Sequence, residues 1–322
     1  MMSMKKLILT LTLILALASG LLSQNRLSYS QYMHNHQIFN PAYVDGGKHV
    51  GGSLLYRMQW MGFEGAPRTA IGNGFYSVKN HSFNLQLLSD NITVFKHIEA
   101  GVSYSYQIQL SRNTTMALGV KATYNQQSAN YGGLTYFDGG DQALSGAIST
   151  WSVNFGGGLF VRSKDWFAGL GAPYIFNNKN VSNGMSMFND ISYNHFYITG
   201  GYKVADNYMY VFYPTALVKW TKGSPLTASA DLNFIWNERI WGSLGYRIDN
   251  TVVFSAGIIF LKDFKAVYSY DLGLGKVNRY GGMTHEISIG YGMELYRSSF
   301  TKRKYTTRKM SFRKRPRRSR FS

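Results

Sequence analysis

The sequence predicts an all-β fold, a transmembrane antiparallel β-barrel of about 14 strands (roughly 12 to 16) followed by a disordered basic tail. Three observations support this prediction. Apolar and polar residues alternate with a period of two, over segments of about 9 to 11 residues that are long enough to cross a bilayer. The chain begins with an export signal. It also combines 24 Tyr and 34 Gly with only 16% charged residues, which suits aromatic girdles at two membrane interfaces better than a soluble surface.

The clearest alternation occupies residues 97–110. The apolar face there consists of Ile98, Ala100, Val102, Tyr104, Tyr106, Ile108 and Leu110. The same pattern returns at 116–124, 151–161, 226–236 and 287–295. Weaker candidates fill the intervals, at 50–58, 68–78, 83–92, 166–174, 194–203, 208–221, 241–248, 251–260 and 264–270. Together these segments make about 14 strands, and an even number would place both termini in the periplasm.

The connections and ends of the chain complete the predicted organisation. Residues 128–148, 175–193 and 271–284 are rich in Asn, Gly and Asp and are the predicted outward loops. Lys5 and Lys6, an apolar run and then small residues make 1–23 a signal peptide, because a membrane anchor would need about 20 apolar residues. We therefore divide the chain into a signal peptide (1–23), a pre-barrel segment (24–48), a barrel (49–296) and a basic tail (297–322).

Charge and cysteine content limit the kinds of site that the chain can hold. The formal net charge of +18 is concentrated in residues 298–322, which contain 11 Lys or Arg and no acid. The tail residues singled out are Lys302, Arg303, Lys304, Arg313, Lys314, Arg315, Arg317 and Arg318. In an exported protein such a run meets acidic proteins or anionic headgroups rather than nucleic acid, or it is simply solvated. The absence of cysteine excludes disulfides, thiolate metal sites and a cysteine nucleophile.

A soluble β-propeller or lectin-like sandwich would also have short strands and many aromatic residues. The sequence has no repeat of about 40 to 50 residues, which a propeller would need. A soluble sandwich would not need its apolar faces held so often at membrane-spanning length. These observations favour the barrel.

The segment before the first strand and the first hairpin carry a recognisable order of motifs. They are Gln31-Tyr32-Met33, Asn40-Pro41-Ala42-Tyr43, Arg57-Met58-Gln59-Trp60-Met61-Gly62-Phe63 and Ala66-Pro67-Arg68-Thr69. This order resembles the amino-terminal signature of the PorP/SprF family, membrane proteins of the type IX secretion system. Stretches at 167–173, 195–202, 244–247, 268–271 and 284–287 agree with it, so the resemblance covers residues 30–296.

The resemblance implies a non-enzymatic accessory of protein secretion and gliding in the bacterial outer membrane. Its implied partners are outer-membrane lipid, a large secreted cargo protein bound through its carboxy-terminal sorting domain, and periplasmic secretion subunits. No nucleic acid, cofactor or metal is expected. The basic tail extends beyond the usual end of the family, which leaves the behaviour of this terminus open.

The candidate partner-binding residues come from these motifs and from the last two strands. They are Gln31, Tyr32, Asn40, Pro41, Tyr43, Arg57, Gln59, Trp60, Arg68, Tyr270, Asp271, His285 and Glu286. Charged and polar side chains in spanning strands must face the lumen, since facing lipid costs roughly 2 to 4 kcal/mol at mid-bilayer. We therefore expect Arg57, Gln59, Arg68 and Arg247 to point inward. They form either a contact for a plug or cargo, or a hydrogen-bonded lining. Glu99 and Lys121 should form a lumen ion pair.

Two other functional classes remain to be weighed. A barrel of this size could be a passive diffusion pore for small solutes, which predicts conductance and no bound partner. An outer-membrane enzyme is disfavoured because no Ser, His and Asp set and no phosphate loop stands out. Tyr270, Asp271, His285 and Glu286 have too few additional ligands nearby in sequence to favour a metal site over lining residues.

Overall fold

A computed structural model of the protein describes residues 29–45, 49–131, 147–176, 194–207, 209–221, 224–261, 263–275 and 282–293. The predicted signal peptide and the basic tail lie outside these residues. Two short 3-10 turns, Tyr32–His34 and His36–Ile38, precede the first strand. No helix among the described residues is long and apolar enough to cross a membrane.

Strands account for the rest of the regular structure. In chain order they are β1 (Val50–Met61), β2 (Arg68–Val78), β3 (His81–Ile92), β4 (Phe95–Ser111), β5 (Thr114–Asn130), β6 (Ala147–Arg162), β7 (Trp166–Tyr174), β8 (His195–Tyr202), β9 (Ala205–Asp206), β10 (Tyr210–Thr221), β11 (Thr227–Trp236), β12 (Ile240–Arg247), β13 (Thr251–Phe260), β14 (Phe264–Gly273) and β15 (Met283–Met293).

The strands form one closed antiparallel barrel. Each long strand pairs with its neighbour in sequence, and β1 closes the sheet by pairing with β15, from Val50 opposite Met293 to Arg57 opposite Glu286. The two-residue β9 pairs only with β10, so the wall consists of 14 strands. The predicted fold and strand number are confirmed. Closure leaves no long strand edge unpaired, which the backbone requires inside a membrane.

Several strands extend beyond their predicted bounds. β5 continues to Asn130, and β14 and β15 reach Gly273 and Met283, so the loops predicted at 128–148 and 271–284 are shorter than expected. The extensions lack a sustained apolar alternation, and backbone pairing continues there beyond the apolar band. Alternation marks the width of the membrane rather than the length of the strand.

The two faces of the wall follow the alternation in the sequence. Along β4, Val102 and Tyr104 point outward with 57% and 37% of their surface exposed, whereas Ser103 and Ser105 are buried on the lumen side. The same phase places Val153 outward in β6. An apolar outer face and a polar inner face are the arrangement of a membrane barrel.

An Arg introduced on the outer face should impair assembly. Tyr104→Arg or Val153→Arg would place a cation in lipid at a cost of roughly 2 to 4 kcal/mol near mid-bilayer. Asn113→Arg is the matched control, since Asn113 lies exposed in the β4–β5 turn. The measurement is the folded fraction in lipid vesicles, read from the heat-dependent shift on an electrophoresis gel. Equal folding of all three variants would show that the assigned outward phase is wrong.

The two ends of the barrel differ in their connections. Val50 and Met293 lie at one end, which we call the terminal end, and the β1–β2 connection lies at the opposite loop end. The three longest connections, between β5 and β6, β7 and β8, and β14 and β15, all leave from the loop end. Connections at the terminal end are short turns, apart from the one that contains β9.

Candidate functional site

The segment before the first strand fills the lumen. We call residues 29–45 the plug. Gln31 and Ala42 are fully buried, and Tyr32 and Phe39 retain 1% of their surface. Among the described residues, the barrel wall surrounds the plug, so this burial comes from inward-facing side chains and from contacts within the plug. The lumen of the described barrel is therefore occupied by the chain itself.

An apolar patch on the inner wall packs against the plug. Leu55, Ile71 and Leu88 lie opposite one another on three neighbouring strands and point inward. With Tyr197 and Leu217 they form one buried cluster with the plug residues Tyr29, Tyr32, Ile38 and Phe39. In a water-filled lumen the apolar side chains of these wall residues would be exposed to water. Since apolar burial stabilises by roughly 25 cal/mol per Å², the patch holds the plug in place.

Glycines in the wall let the plug backbone approach closely. A Cβ on Gly119 would collide with the backbone at Pro41 and Ala42, and one on Gly171 would collide with the carbonyl oxygen of Phe39. A Cβ on Gly158 would meet the side chain of Asn40. The Asn40 side chain donates to the Leu159 carbonyl at 3.0 Å and accepts from the Ala42 N–H at 2.9 Å. The Asn-Pro turn is thus locked against β6.

A buried cluster of charges lies beside the first residues of the plug. Arg57 contacts Glu286 at 2.8 Å and Asp271 at 3.1 Å, and Arg247 contacts the same Asp271 oxygen at 3.1 Å. All four side chains are buried. Arg247 also pairs with the more exposed Asp249 at 2.9 Å. We call Arg57, Arg247, Asp271 and Glu286 the charged clamp.

The charged clamp binds the backbone of the plug. The two carboxylate oxygens of Glu286 accept the backbone N–H groups of Ser30 at 3.1 Å and Gln31 at 2.9 Å. The Gln31 side chain donates to the Glu286 carbonyl at 3.0 Å and accepts from Ser288. Arg57 donates to the Ser30 hydroxyl at 3.1 Å. Hydrogen bonds to charged groups are the stronger ones, so this contact fixes the start of the plug.

The plug runs along the lumen from the loop end to the terminal end. Ser30 contacts Asp271, two residues before β14 ends at the loop end. Tyr43 lies under the guanidinium of Arg162, the residue that ends β6 at the terminal end. Met293 lies at that same end. The amino-terminal residues 1–28 lie outside the described structure, so a periplasmic amino terminus stays a prediction.

Comparison with known proteins identifies the family. A family model described as "Type IX secretion system membrane protein PorP/SprF" matches residues 21–291. The chain belongs to the PorP/SprF family. The match includes the whole plug and the charged clamp. A closed barrel with an apolar outer band is the fold of outer-membrane proteins, so this PorP/SprF chain is an outer-membrane barrel. A search of curated proteins finds no match.

Solved structures similar to the PorP/SprF barrel include a channel, a transporter and an outer membrane protein. The CymD monoaromatic hydrocarbon channel has 10% identity and a TM-score of 0.46, with 85% of this chain and 95% of that chain covered. The Pseudomonas putida toluene transporter TodX has 10% identity and a TM-score of 0.45, with the same coverage. Acinetobacter baumannii Omp33 has 8% identity and a TM-score of 0.44, covering 77% and 100%. At these scores the similarities carry no information about what this PorP/SprF barrel binds.

The structure separates the predicted residues of the last two strands into two groups. Asp271 and Glu286 face the lumen in the charged clamp. Tyr270 and His285 belong to the outward phase, where the His285 ring pairs with the Tyr268 hydroxyl at 2.6 Å. Four residues that are close in sequence therefore serve both faces of the wall. Among the described residues, no group of three or more His, Asp or Glu forms a possible metal site.

The predicted residues of the first hairpin are also divided between environments. Arg57 and Arg247 point into the lumen as expected, and Gln59 is half-buried. The expectation is wrong for Arg68, which begins β2 in the outward phase and is exposed. It lies at the loop end, where an outward cation avoids the cost of mid-bilayer lipid. Trp60 is half-buried, with a left-handed φ of 52° at the end of β1.

The predicted plug residues are all in contact with the wall or with one another. Gln31, Tyr32, Asn40 and Pro41 are buried, and the Tyr32 hydroxyl lies 3.0 Å from that of Thr215. Tyr43 is half-buried and stacks on His36 at 4.8 Å between ring centroids. The buried His36 ring also meets the rings of Phe160 and Phe167, at 6.0 Å and 5.3 Å between centroids. His36 therefore packs as part of an aromatic cluster.

The predicted Glu99–Lys121 ion pair is confirmed. Lys121 Nζ lies 3.2 Å from a Glu99 oxygen, and both side chains are buried in the lumen. Gln86 and Tyr174 donate to the Glu99 carboxylate at 3.1 Å and 2.6 Å. The sequence indicated the ion pair because both residues occupy polar positions of adjacent strands. It did not indicate Gln86 and Tyr174, which come from other strands.

Proposed function

We propose that this protein is a non-enzymatic accessory of type IX secretion that binds a large secreted cargo protein and supports its export or surface retention. The observation that carries the proposal is the filled lumen. Because the plug packs against the wall over its whole described length, a partner is held at an end of the barrel rather than passed through it. The passive-pore alternative requires an open lumen.

The orientation follows from the connections. Membrane barrels have short periplasmic turns and longer outward loops. On this basis the terminal end faces the periplasm and meets secretion components there, and the loop end faces outward and meets cargo. A cavity of about 320 Å³ opens between the plug and the wall toward the terminal end, lined by His34, Asn73 and Lys265 among others.

An ordered apolar loop supports cargo binding at the loop end. Met61 ends β1 and Phe63 lies in the β1–β2 connection, and they expose 54% and 61% of their surface. The Phe63 N–H donates to the Trp60 carbonyl at 3.1 Å, and the Thr93 N–H of the next hairpin donates to the Gly65 carbonyl at 3.0 Å. A pre-ordered loop with exposed apolar side chains loses little entropy on binding a partner.

The test is co-purification from the native membrane. The tagged protein is solubilised in mild detergent, and captured proteins are identified by mass spectrometry. We expect a large surface protein together with periplasmic secretion subunits. Recovery of the barrel alone, under conditions that preserve other membrane complexes, would contradict the proposal.

Two matched double variants separate the ends. Met61→Ser with Phe63→Ser should reduce capture of the surface protein at least about tenfold, since each removes a desolvated apolar contact. Val204→Ser with Leu261→Ser removes two exposed apolar side chains from the terminal end. That variant should keep the surface protein and lose periplasmic subunits. Equal loss in both variants would contradict the assignment of the two ends.

A further inference from the structure

Two cations face outward on neighbouring hairpins at the loop end. The strand register places Arg68 opposite Asn91, and Asn91 opposite Lys96. All three side chains are exposed and belong to the outward phase of β2, β3 and β4. Because neighbouring strands are about 4.8 Å apart, the backbones of Arg68 and Lys96 are about 10 Å apart. Both long side chains can therefore reach one group placed over Asn91.

The cations lie at the loop-end edge of the apolar outer band. One position nearer the middle of the barrel on the outward face, Tyr56 lies on the strand beside that of Arg68, and Ile98 follows Lys96 along β4. Tyr56 and Ile98 each expose 38% of their surface. Tyr concentrates at the level of lipid headgroups. Arg68 and Lys96 therefore lie at or just outside the headgroup layer, on the side away from the hydrocarbon.

The protein itself does not neutralise these cations. No ion pair or side-chain hydrogen bond involves Arg68 or Lys96 within the described part of the chain. The acids nearest in sequence are Glu64, Asp90 and Glu99. Asp90 and Glu99 point into the lumen, where Asp90 accepts a hydrogen bond from Thr69 at 2.7 Å and Glu99 pairs with Lys121. Glu64 is exposed in the β1–β2 connection and forms no ion pair with a described residue. Arg68 and Lys96 therefore have no counter-ion among the described residues, and an amide lies between them. Together these three side chains offer N–H groups that can donate hydrogen bonds to a phosphate.

We propose that Arg68, Asn91 and Lys96 bind the phosphate of a phosphorylated lipid headgroup in the leaflet at the loop end. The phosphate belongs to a lipid rather than to free phosphate in solution, because the apolar wall directly below the three residues would contact the acyl chains. In the orientation proposed above, this leaflet is the outer one, whose phosphorylated glycolipid is lipid A. The inference rests on the membrane position of the barrel and on its proposed orientation, and not on cargo binding.

The test measures lipid binding by the purified full-length barrel. Nanodiscs of neutral phosphatidylcholine carry a small fraction of fluorescent, bis-phosphorylated lipid A, and the apparent Kd is taken from titration with the protein. Arg68→Gln with Lys96→Gln should weaken binding about 30-fold, because two cations near an anionic headgroup are lost. Lys79→Gln with Arg112→Gln is the matched control. It removes the same charge from turns at the terminal end and should leave the Kd unchanged.

Two further binding measurements identify the ligand. The first uses dephosphorylated lipid A and the unmodified protein. Its affinity should fall to that of bis-phosphorylated lipid A for the variant that lacks both cations. Inorganic phosphate at millimolar concentration should not displace the lipid. Equal affinities for both double variants, or for both lipids, would overturn the site. Full displacement by inorganic phosphate would overturn the lipid assignment. Before titration, the heat-dependent shift of each variant on an electrophoresis gel establishes that the variant is folded.

Discussion

Removal of residues 24–45 should convert a closed barrel into a conducting channel. The diameter of a barrel grows with the number of strands, and 14 strands enclose more space than their own side chains fill. The plug occupies that space, with Gln31, Tyr32 and Phe39 almost fully buried against the wall. The measurement is current across a planar lipid bilayer. The unmodified protein should give no resolvable steps, and the deletion should give steady ones.

Removal of residues 298–322 is the control for this deletion. It takes away a segment of similar length and 11 positive charges but leaves the plug intact. This variant should insert normally and remain closed. If the unmodified protein conducts as well as the plug deletion does, the plug does not close the lumen. The passive-pore function would then be favoured over the accessory function.

The wall of this barrel could be predicted from the sequence because the pattern that predicts each strand lies within that strand. Alternation within a single strand fixes which residues face lipid, and it placed Tyr104, Val153, Glu99 and Lys121 on the correct faces. The strand ends were less predictable, since polar extensions such as the end of β5 lack the apolar signal. The outward position of Arg68 was missed for the same reason, because the membrane boundary is not marked in the alternation.

The plug could not be predicted, because its contacts are long-range. Its residues have no periodic pattern, and Ser30 meets Glu286 across 256 positions of sequence. One signal was nevertheless available. Leu54-Leu55 and Leu87-Leu88 interrupt the alternation with adjacent apolar residues, so one member of each pair must face the lumen. An apolar side chain inside a polar barrel indicates that something apolar covers it. Here the plug does so.

The charged clamp shows why the plug and the wall depend on each other. Glu286 and Asp271 are on adjacent strands and share Arg57, while Glu286 also accepts two backbone N–H groups of the plug. Buried charges are tolerated only when they are paired and hydrogen-bonded. The plug thus completes the hydrogen bonding of a charge that closes the barrel seam between β1 and β15.

Arg57→Met should destabilise the protein by about 3 to 5 kcal/mol, because it leaves Glu286 and Asp271 buried with Arg247 as the remaining cation. Lys203→Met is the matched control. It breaks the Lys203–Asp206 pair of 3.1 Å at the surface, where such pairs contribute about 0 to 1 kcal/mol. The free energy of unfolding is measured by urea titration in lipid vesicles.

A combined variant separates lost charge pairing from lost packing. Adding Glu286→Gln and Asp271→Asn to Arg57→Met removes the uncompensated carboxylates and should recover most of the lost stability. The amide that replaces the Glu286 carboxylate keeps one acceptor oxygen, and its NH2 group cannot accept the second plug N–H. The combined variant should therefore be stable and yet show current steps from a loosened plug.

Full stability together with a closed lumen would show that apolar packing and the glycine contacts alone hold the plug. A combined variant as unstable as Arg57→Met would mean that Arg57 acts through its shape and not its charge.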